Sequence, residues 1–198
     1  MSAGYYVALE GAEGSGKSSH AARLAATLNA VLTHETGGTE IGVRLRAILH
    51  DVDVVDLDDR AEALIIAADR AQHVARVVTP ALAAGRCVVS DRSVFSTLAY
   101  QGYGRGLDLD ELRVINDWAI GGRWPDRVVL LDAPVEVLAD RLHGRELDRF
   151  ERAGDEFHRR VVDGFYAMAS ADPARWVVVD ATGEPDAVAA CVLAAVAR

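Results

Sequence analysis

A glycine-rich segment at positions 11–18, with the sequence GAEGSGKS, constrains the fold more than any other feature of this chain. It matches the pattern G-x-x-x-x-G-K-[ST]. An apolar run, Tyr5–Glu10, precedes the segment, and a helical pattern, Lys17–Leu28, follows it. Glycine lets backbone N–H groups surround phosphate oxygens, and the helix that follows presents the positive end of its dipole to them. This order of elements predicts a nucleotide-binding P-loop between the first strand and the first helix.

The side chains at the end of the motif predict binding of ATP together with Mg²⁺. We expect Lys17 to neutralise charge on the β- and γ-phosphates and the Ser18 hydroxyl to ligate Mg²⁺. Lys17 is also the only lysine among the 21 Lys and Arg residues, which suggests that this position needs an ammonium group. A glycine-rich turn without a ligand is the alternative interpretation. The predicted ATP-binding residues are Gly11, Ala12, Glu13, Gly14, Ser15, Gly16, Lys17, Ser18 and Ser19.

Short apolar runs alternate with longer helical patterns, with no internal repeat and no low-complexity linker. The predicted strands are Tyr5–Glu10, Val31–His34, Cys87–Ser90, Val128–Asp132 and Trp176–Asp180. The predicted helices are Lys17–Leu28, Gly42–Leu49, Arg60–Ala83, Ser93–Tyr100, Asp110–Ala119, Val135–Leu142, Glu156–Ala171 and Asp186–Ala197. This alternation is typical of βαβ units. We therefore predict a single α/β domain over residues 1–198, built on a parallel sheet of five strands.

Charge and hydropathy exclude several classes of function. The chain of 198 residues carries a formal net charge of −9, so we expect no binding to nucleic acid or to an anionic membrane surface. We see no signal segment and no apolar run of about 18 residues, which predicts a cytoplasmic protein. The two cysteines, Cys87 and Cys191, lie in separate apolar segments, and we expect both to be buried and to form neither a disulfide nor a zinc site.

A second group of polar residues follows the third predicted strand. Asp91 comes at its end, where a carboxylate can orient Mg²⁺ or the water molecules bound to it. Arg92, Ser96 and Thr97 follow, and Tyr100 and Gln101 come about one helical turn later. Open α/β sheets bind ligands beyond the carboxyl ends of their strands. Asp91 taken alone is weak evidence, because aspartate is also a common helix N-cap.

At this point the sequence resembles the thymidylate kinases over nearly its whole length. The segments that carry the resemblance are LEGAEGSGKS (9–18), GGTEIG (37–42), AADRAQH (67–73), DR (91–92), AYQGYGRG (99–106) and LDRFE (147–151). The resemblance implies a doubly wound five-stranded parallel sheet of the P-loop NTPase type, in a homodimer. It also implies that the chain phosphorylates dTMP to dTDP with ATP and Mg²⁺.

The resemblance also implies roles for individual residues. Arg92, with Arg46 beside it, would bind the acceptor phosphate, and Arg70 and Gln101 would hydrogen-bond the pyrimidine. Asp91, with Ser18, would serve the metal, and Glu13 would lie near the sugar hydroxyl or the metal. The implied substrate-binding residues are Glu35, Arg46, Ile66, Arg70, Arg92, Ser96, Thr97, Tyr100 and Gln101. Each has an ordinary alternative: Arg70 could be a surface residue paired with Glu62 or Asp69, and Tyr100 could belong to the core.

The segment at about 143–155 resembles the family's lid, which closes over ATP and supplies an arginine to the transferred phosphate. Arg149 is the first candidate for this catalytic arginine and Arg145 is the second. Lys17, Arg92 and Glu13 complete the predicted catalytic set. Glu13 fits the family's subgroup that carries its catalytic arginine in the lid rather than in the P-loop.

Two departures from the family fall in the acceptor half. The chain has His34-Glu35-Thr36-Gly37-Gly38 where the family has Arg-Glu-Pro-Gly-Gly, and Ile66 where the family has a phenylalanine that stacks on thymine. These departures leave a second function open, phosphorylation of another or a modified pyrimidine deoxynucleotide. A third possibility is a regulatory nucleotide switch. The missing Asn-Lys-x-Asp motif argues against a GTPase switch, and so does the Asp91–Gln101 group.

Overall fold

The computed structural model describes residues 4–144 and 148–197. Five parallel strands form one sheet in the order β2-β3-β1-β4-β5. The strands are β1 (Tyr6–Glu10), β2 (Val31–His34), β3 (Val88–Asp91), β4 (Arg127–Asp132) and β5 (Trp176–Asp180). The predicted α/β class and the five parallel strands are confirmed, with every strand boundary within one residue of its predicted place.

Helices cover both faces of this sheet. They are α1 (Lys17–Leu28), α2 (Glu40–His50), α3 (Asp59–His73), α4 (Thr79–Ala83), α5 (Val94–Thr97), α6 (Leu109–Ile120), α7 (Val135–Leu142), α8 (Asp155–Ala171) and α9 (Pro185–Ala195). Side-chain caps fix several starts. The Asp58 carboxylate accepts from the first N–H groups of α3, and Asp108 does the same for α6. Among the described residues, no helix is both long and apolar enough to cross a membrane.

Two wider helical turns differ from the sequence prediction. The predicted helix Arg60–Ala83 is α3 followed by a π-helical segment, Val74–Val78, and then α4. The predicted helix ending at Tyr100 is α5 followed by a longer π-helical segment, Leu98–Gly104. π-Helical turns occur often at functional sites. The segment Leu98–Gly104 carries two of the predicted substrate-binding residues, Tyr100 and Gln101.

The core lies on both sides of the sheet, because alternate strand residues point to opposite faces. Tyr6, Val88 and Val128 pack on one face, while Leu9 and Val129 pack on the other. Burial on both faces explains the continuous apolar character of the central strands.

The cysteines are less buried than the sequence prediction has them. Cys191 is exposed and Cys87 is only partly buried, so the expectation that both are buried is wrong. Cys191 lies on α9, where Val188 and Val192 are the buried residues. Almost every position of that helix is apolar, and for this reason its sequence does not reveal which face is turned to solvent.

The strand order brings the two polar groups of the sequence together. β1 lies next to β3, and Leu9 pairs with Asp91 in the register between them. The glycine-rich loop follows β1 and the Asp91 group follows β3. Both therefore emerge side by side at the carboxyl edge of the sheet, which is where ligands bind in open α/β sheets.

Candidate active site

The glycine-rich loop closes around the ammonium group of Lys17. Lys17 Nζ donates to the Ala12 carbonyl oxygen at 2.7 Å and contacts Ser15 Oγ at 3.4 Å. Gly16, just before the helix, has φ +86°, which only glycine adopts without strain. At Gly11, a Cβ atom would lie 2.5 Å from the Leu131 carbonyl oxygen. The two glycines therefore permit a path of the loop that a side chain would block.

The charges in the loop perturb one another strongly. Burial lowers the pKa of Lys17, and Arg92 lowers it further, so that it falls to about 8. Burial raises the pKa of Glu13, but the charges of Arg92 and Lys17 outweigh this effect and hold it at about 2. An anionic phosphate near Lys17 would favour its charged form. A bound phosphate would thus raise the pKa of Lys17 again.

The side-chain oxygens of Ser18 and Asp91 lie next to each other at the carboxyl edge of the sheet. Ser18 Oγ lies 2.5 Å from Asp91 Oδ2. The other carboxylate oxygen, Asp91 Oδ1, is buried and accepts no hydrogen bond from the described residues. Hydroxyl, carboxylate and phosphate oxygens are the ligands that Mg²⁺ prefers. The two residues therefore fit the predicted metal.

Arg92 adopts an unusual backbone conformation that turns its side chain back to the loop. Its φ of 70° lies in the left-handed region, which is uncommon for a residue other than glycine. The guanidinium forms an ion pair with Glu13 and donates to Ser96 Oγ at 3.1 Å and to the Tyr100 hydroxyl at 3.2 Å. It also lies over the Tyr100 ring, 5.0 Å from its centroid. These contacts hold the guanidinium beside the glycine-rich loop.

Glu10, at the end of β1, was missed by sequence reasoning and supports the position of Arg92 through Ser96. It is fully buried, and its two carboxylate oxygens accept from Ser93 Oγ at 2.7 Å and from Ser96 Oγ at 2.6 Å. Burial raises its pKa even though Arg92 and the two hydroxyls act in the opposite direction. Ser96 thus bridges Glu10 and Arg92.

Arg70 lies in a buried hydrogen-bonded cluster, so the surface interpretation weighed for it is wrong. Its side chain is 2% exposed. Its N–H groups donate to Glu35 Oε2 at 2.7 Å, Thr97 Oγ1 at 2.8 Å and Asn116 Oδ1 at 2.5 Å, and to the Ser93 carbonyl oxygen at 3.1 Å. A guanidinium has five N–H groups. Four of them donate to other residues that the structure describes, which leaves one N–H group for a ligand.

Glu35, which directly follows β2, anchors this cluster. Its second oxygen accepts from His73 Nδ1 at 2.7 Å, and His73 Nε2 lies 2.6 Å from Thr33 Oγ1. Burial raises the pKa of Glu35, but Arg70 and His73 outweigh burial and lower it overall. The carboxylate therefore stays ionised between two donors, and it fixes the position of Arg70.

A single cleft of about 700 Å³ connects the glycine-rich loop with the Arg70 cluster. The predicted site residues that line it are Glu13, Gly14, Gly16, Lys17, Ser18, Ser19, Glu35, Arg46, Ile66, Arg70, Asp91, Arg92, Ser96, Thr97, Tyr100 and Gln101. Ala12 and Ser15 contact Lys17 from inside the loop, and Gly11 packs against Leu131. His34 and Thr36, the two departures on β2 and just beyond it, also line the cleft.

The segment after α7 meets the cleft on its acceptor side. Asp148 Oδ2 lies 2.7 Å from His50 Nδ1, and the Phe150 ring packs edge-on against Tyr100 with centroids 6.2 Å apart. Arg149 donates to the Leu49 carbonyl oxygen at 2.9 Å and to Glu62 Oε2 at 2.5 Å. Asp148 and Phe150 line the cleft, whereas Arg149 does not. The second candidate arginine, Arg145, lies outside the described residues.

Arg141, near the end of α7, is a further basic residue that sequence reasoning missed. It donates to the Gly14 carbonyl oxygen at 3.3 Å and to the Ala181 carbonyl oxygen at 2.8 Å, and it lines the cleft on the loop side. Its position two residues before the predicted lid was the only signal in the sequence.

Comparison with known proteins gives a consistent result. A family model described as thymidylate kinase matches residues 9–192. A thymidylate kinase from Solidesulfovibrio magneticus is 47% identical, with 98% of this chain and 99% of that protein covered. A thymidylate kinase from Synechococcus is 48% identical, with 93% and 90% covered. The crystal structure of thymidylate kinase from Ehrlichia chaffeensis matches with a TM-score of 0.80 at 31% identity, over 97% of this chain and 98% of that one.

Proposed function

This chain belongs to the thymidylate kinase family, and we propose that its cleft transfers the γ-phosphate of ATP to dTMP by in-line displacement. One observation carries the proposal: the glycine-rich loop, Arg92 and Arg70 line a single continuous cavity. ATP on the loop and dTMP between the two arginines would face each other directly. No covalent enzyme intermediate is needed.

On the donor side, the backbone N–H groups of the loop and the Lys17 ammonium bind the β- and γ-phosphates. Ser18 and Asp91 would hold Mg²⁺, which neutralises phosphate charge when it is bound. Phosphate binding restores the full charge of Lys17, whose pKa is depressed in the free protein. Charge stabilisation is thus strongest when ATP is in place.

On the acceptor side, Arg92 binds the phosphate of dTMP, with Arg46 as a second contact. A planar guanidinium matches two phosphate oxygens at once, which a lysine ammonium cannot do. Glu13 and Ser96 hold the Arg92 guanidinium at the loop. The acceptor phosphate is therefore drawn towards the transferred group.

The base of dTMP would lie between Ile66 and Tyr100, within reach of Arg70. The N–H group of Arg70 that has no partner within residues 4–144 and 148–197 is suited to the O4 carbonyl of thymine. Thr97 and Glu35 fix the direction of the guanidinium by taking its other donors. Ile66 offers apolar contact in place of an aromatic ring, so we expect weaker base binding than a stacked phenylalanine would give.

It remains a prediction that Arg149, or else Arg145, is the lid arginine that contacts the transferred phosphate. Arg149 contacts Leu49, Glu62 and the Phe150 ring, which lie on the acceptor side. These contacts support a role for Arg149 in holding the loop closed over the acceptor. A direct role in catalysis would require Arg149 to leave Glu62.

The test is an ADP-release assay with ATP, Mg²⁺ and a panel of acceptors: dTMP, dUMP, dCMP, dGMP and a 5-substituted dUMP. We expect the highest kcat/KM with dTMP. If dTMP is inert and another monophosphate is turned over well, the thymidylate assignment fails. Ile66, His34 and Thr36 in the cleft would then favour a modified pyrimidine. ADP release that no acceptor stimulates would instead indicate a nucleotide switch.

We also propose that two copies of the chain associate through α3 and its neighbours. α3 packs against α2 and α6, and these helices expose Val43, Leu64, Val114 and Trp118, the last at 84%. Large exposed apolar residues on helices that pack together are typical of interaction sites. Light scattering should give a dimer for the wild type and a monomer for Trp118→Glu, and a monomeric wild type would refute the proposal. We further propose a cytoplasmic location, where ATP is available.

A further inference from the structure

A fully buried carboxylate, Glu62, lies behind the acceptor end of the cleft and has no role assigned above. Glu62, Ile66 and Arg70 recur every four residues, so they share one face of α3. Ile66 and Arg70 line the cleft. Glu62 itself is 0% exposed, and it is therefore not positioned to meet a substrate directly.

Glu62 instead binds the side-chain amide of Gln101. Gln101 Nε2 donates to Glu62 Oε1 at 2.8 Å. A carboxylate can only accept hydrogen bonds, so it must face the NH₂ group of the amide and not its carbonyl. Between residues 4 and 144 and between 148 and 197, nothing donates to Gln101 Oε1. Since Gln101 lines the cleft, its free group towards a ligand is an acceptor.

Two arginines prevent Glu62 from turning away. Arg105 Nη2 donates to Glu62 Oε2 at 3.1 Å, and Arg149 Nη2 donates to the same oxygen at 2.5 Å. Charge-assisted hydrogen bonds of this kind are stronger than neutral ones. Glu62 Oε1 is thereby kept pointing at Gln101.

The acceptor at Gln101 and the donor at Arg70 form a pattern that distinguishes pyrimidines. Thymine and uracil present an N3–H donor beside the O4 acceptor, which matches this pair. Cytosine presents an N3 acceptor beside an amino donor, so both contacts would be mismatched. A buried site rejects a ligand that leaves its polar groups unpaired.

We propose that Glu62 is a positioning residue: it orients the Gln101 amide so that its carbonyl accepts from pyrimidine N3–H, and this orientation makes the enzyme reject cytosine. The inference rests on the proposed function, because it needs a pyrimidine monophosphate in the cleft. It goes beyond base contact by Gln101, since it states which end of the amide meets the base and what fixes it.

The test compares kcat/KM for dTMP and 5-methyl-dCMP, which differ only at N3 and at the group on C4. In Glu62→Gln, residue 62 can donate as well as accept, and the Gln101 amide is free to turn over. We expect the preference for dTMP to fall at least tenfold, mainly through KM. Asp59→Asn is the matched control, because Asp59 also pairs with Arg105, at 3.4 Å, but is half-exposed and does not contact Gln101. It should keep the preference.

A double exchange, Glu62→Gln with Gln101→Glu, provides the rescue. Residue 101 is then a carboxylate, which can only accept, so the preference for dTMP should return even though the buried pair is reversed. A merely structural role of Glu62 predicts no such return. If the wild type turns over dTMP and Glu62→Gln keeps the same preference for dTMP over 5-methyl-dCMP, the inference is refuted. A wild type that does not use dTMP overturns the proposed function instead.

The orientation can also be measured without a variant, in case Glu62→Gln does not fold. A ¹⁵N-glutamine spectrum contains only Gln72 and Gln101. We expect a side-chain amide proton of Gln101 to exchange slowly with solvent, both in the free enzyme and with dTMP bound, because the buried Glu62 carboxylate holds it. Exchange as fast as that of Gln72 in both states would refute the orientation.

Discussion

The left-handed backbone of Arg92 allows the strain at the active site to be measured. We compare two variants, Arg92→Gly and Arg92→Ala. Both lose the same side-chain contacts to Glu13, Ser96 and Tyr100. Only the alanine variant keeps a Cβ atom at φ 70°. The difference in stability between the two variants therefore reports the backbone and not the guanidinium.

The expected difference follows from two opposing effects. A residue other than glycine in the left-handed region costs about 1–2 kcal/mol. Glycine in turn loses more conformational freedom on folding, which offsets about 0.5 kcal/mol of that gain. Arg92→Gly should therefore be more stable than Arg92→Ala by about 1 kcal/mol. For a domain of this size, that is about 2–4 °C in Tm.

Calorimetry and urea unfolding measure the stability difference, and the ADP-release assay measures activity on the same samples. We expect both variants to be nearly inactive with dTMP, because neither binds the acceptor phosphate. A glycine variant no more stable than the alanine variant would refute the idea that Arg92 is held under strain for its function.

Further predictions concern Lys17, Arg149 and Ile66. Lys17→Met should abolish phosphoryl transfer without lowering Tm. Lys17→Arg should have almost as little activity, because a planar guanidinium does not fit the site of a compact ammonium group. The pKa of Lys17 is about 8 in the free protein, and a bound phosphate raises it, so ATP binding at pH 8 should take up about half a proton. Calorimetry in buffers of different ionisation enthalpy measures this proton uptake. If no proton is taken up, the pKa of Lys17 is not lowered in the free protein. Arg149→Ala should raise KM for dTMP more than it lowers kcat if Arg149 holds the loop, whereas a fall in kcat alone would assign it to the transferred phosphate. Ile66→Phe should lower KM for dTMP about fivefold or more, since stacking on an aromatic ring contributes about 1–3 kcal/mol. If this variant raises KM for dTMP instead, the natural acceptor has a base bulkier than thymine.

The parts of the fold that could be predicted are those whose signal is local in the sequence. A strand, a glycine-rich turn and a helix occur in order within about 25 residues, and their chemistry follows from Lys17 and Ser18 alone. The parallel strands are short apolar runs between polar turns, so their boundaries were predicted within one residue. α3, by contrast, was predicted as one longer helix, because nothing in the side chains of Val74–Val78 marks a change of hydrogen-bonding pattern.

The buried polar clusters could not be predicted, because their members are distant in sequence. Arg70 meets Glu35 and Asn116, which lie 35 and 46 residues away. Glu62 meets Arg149, 87 residues away. On a helix, a glutamate such as Glu62 is ordinarily solvent-exposed. Only the tertiary structure places it beside the donor groups of Gln101, Arg105 and Arg149.

The single lysine gives this enzyme an unusual chemical handle. An amine reacts with electrophiles only in its neutral form. At pH 7, a lysine with a pKa of about 8 is neutral about 10% of the time, whereas an ordinary lysine is neutral about 0.03% of the time. Apart from the chain's α-amino group, Lys17 is the only amine, and it lines the cleft. Besides the α-amino group, an amine-directed covalent reagent should therefore label only the lysine of the phosphate-binding loop, and ATP should protect that lysine.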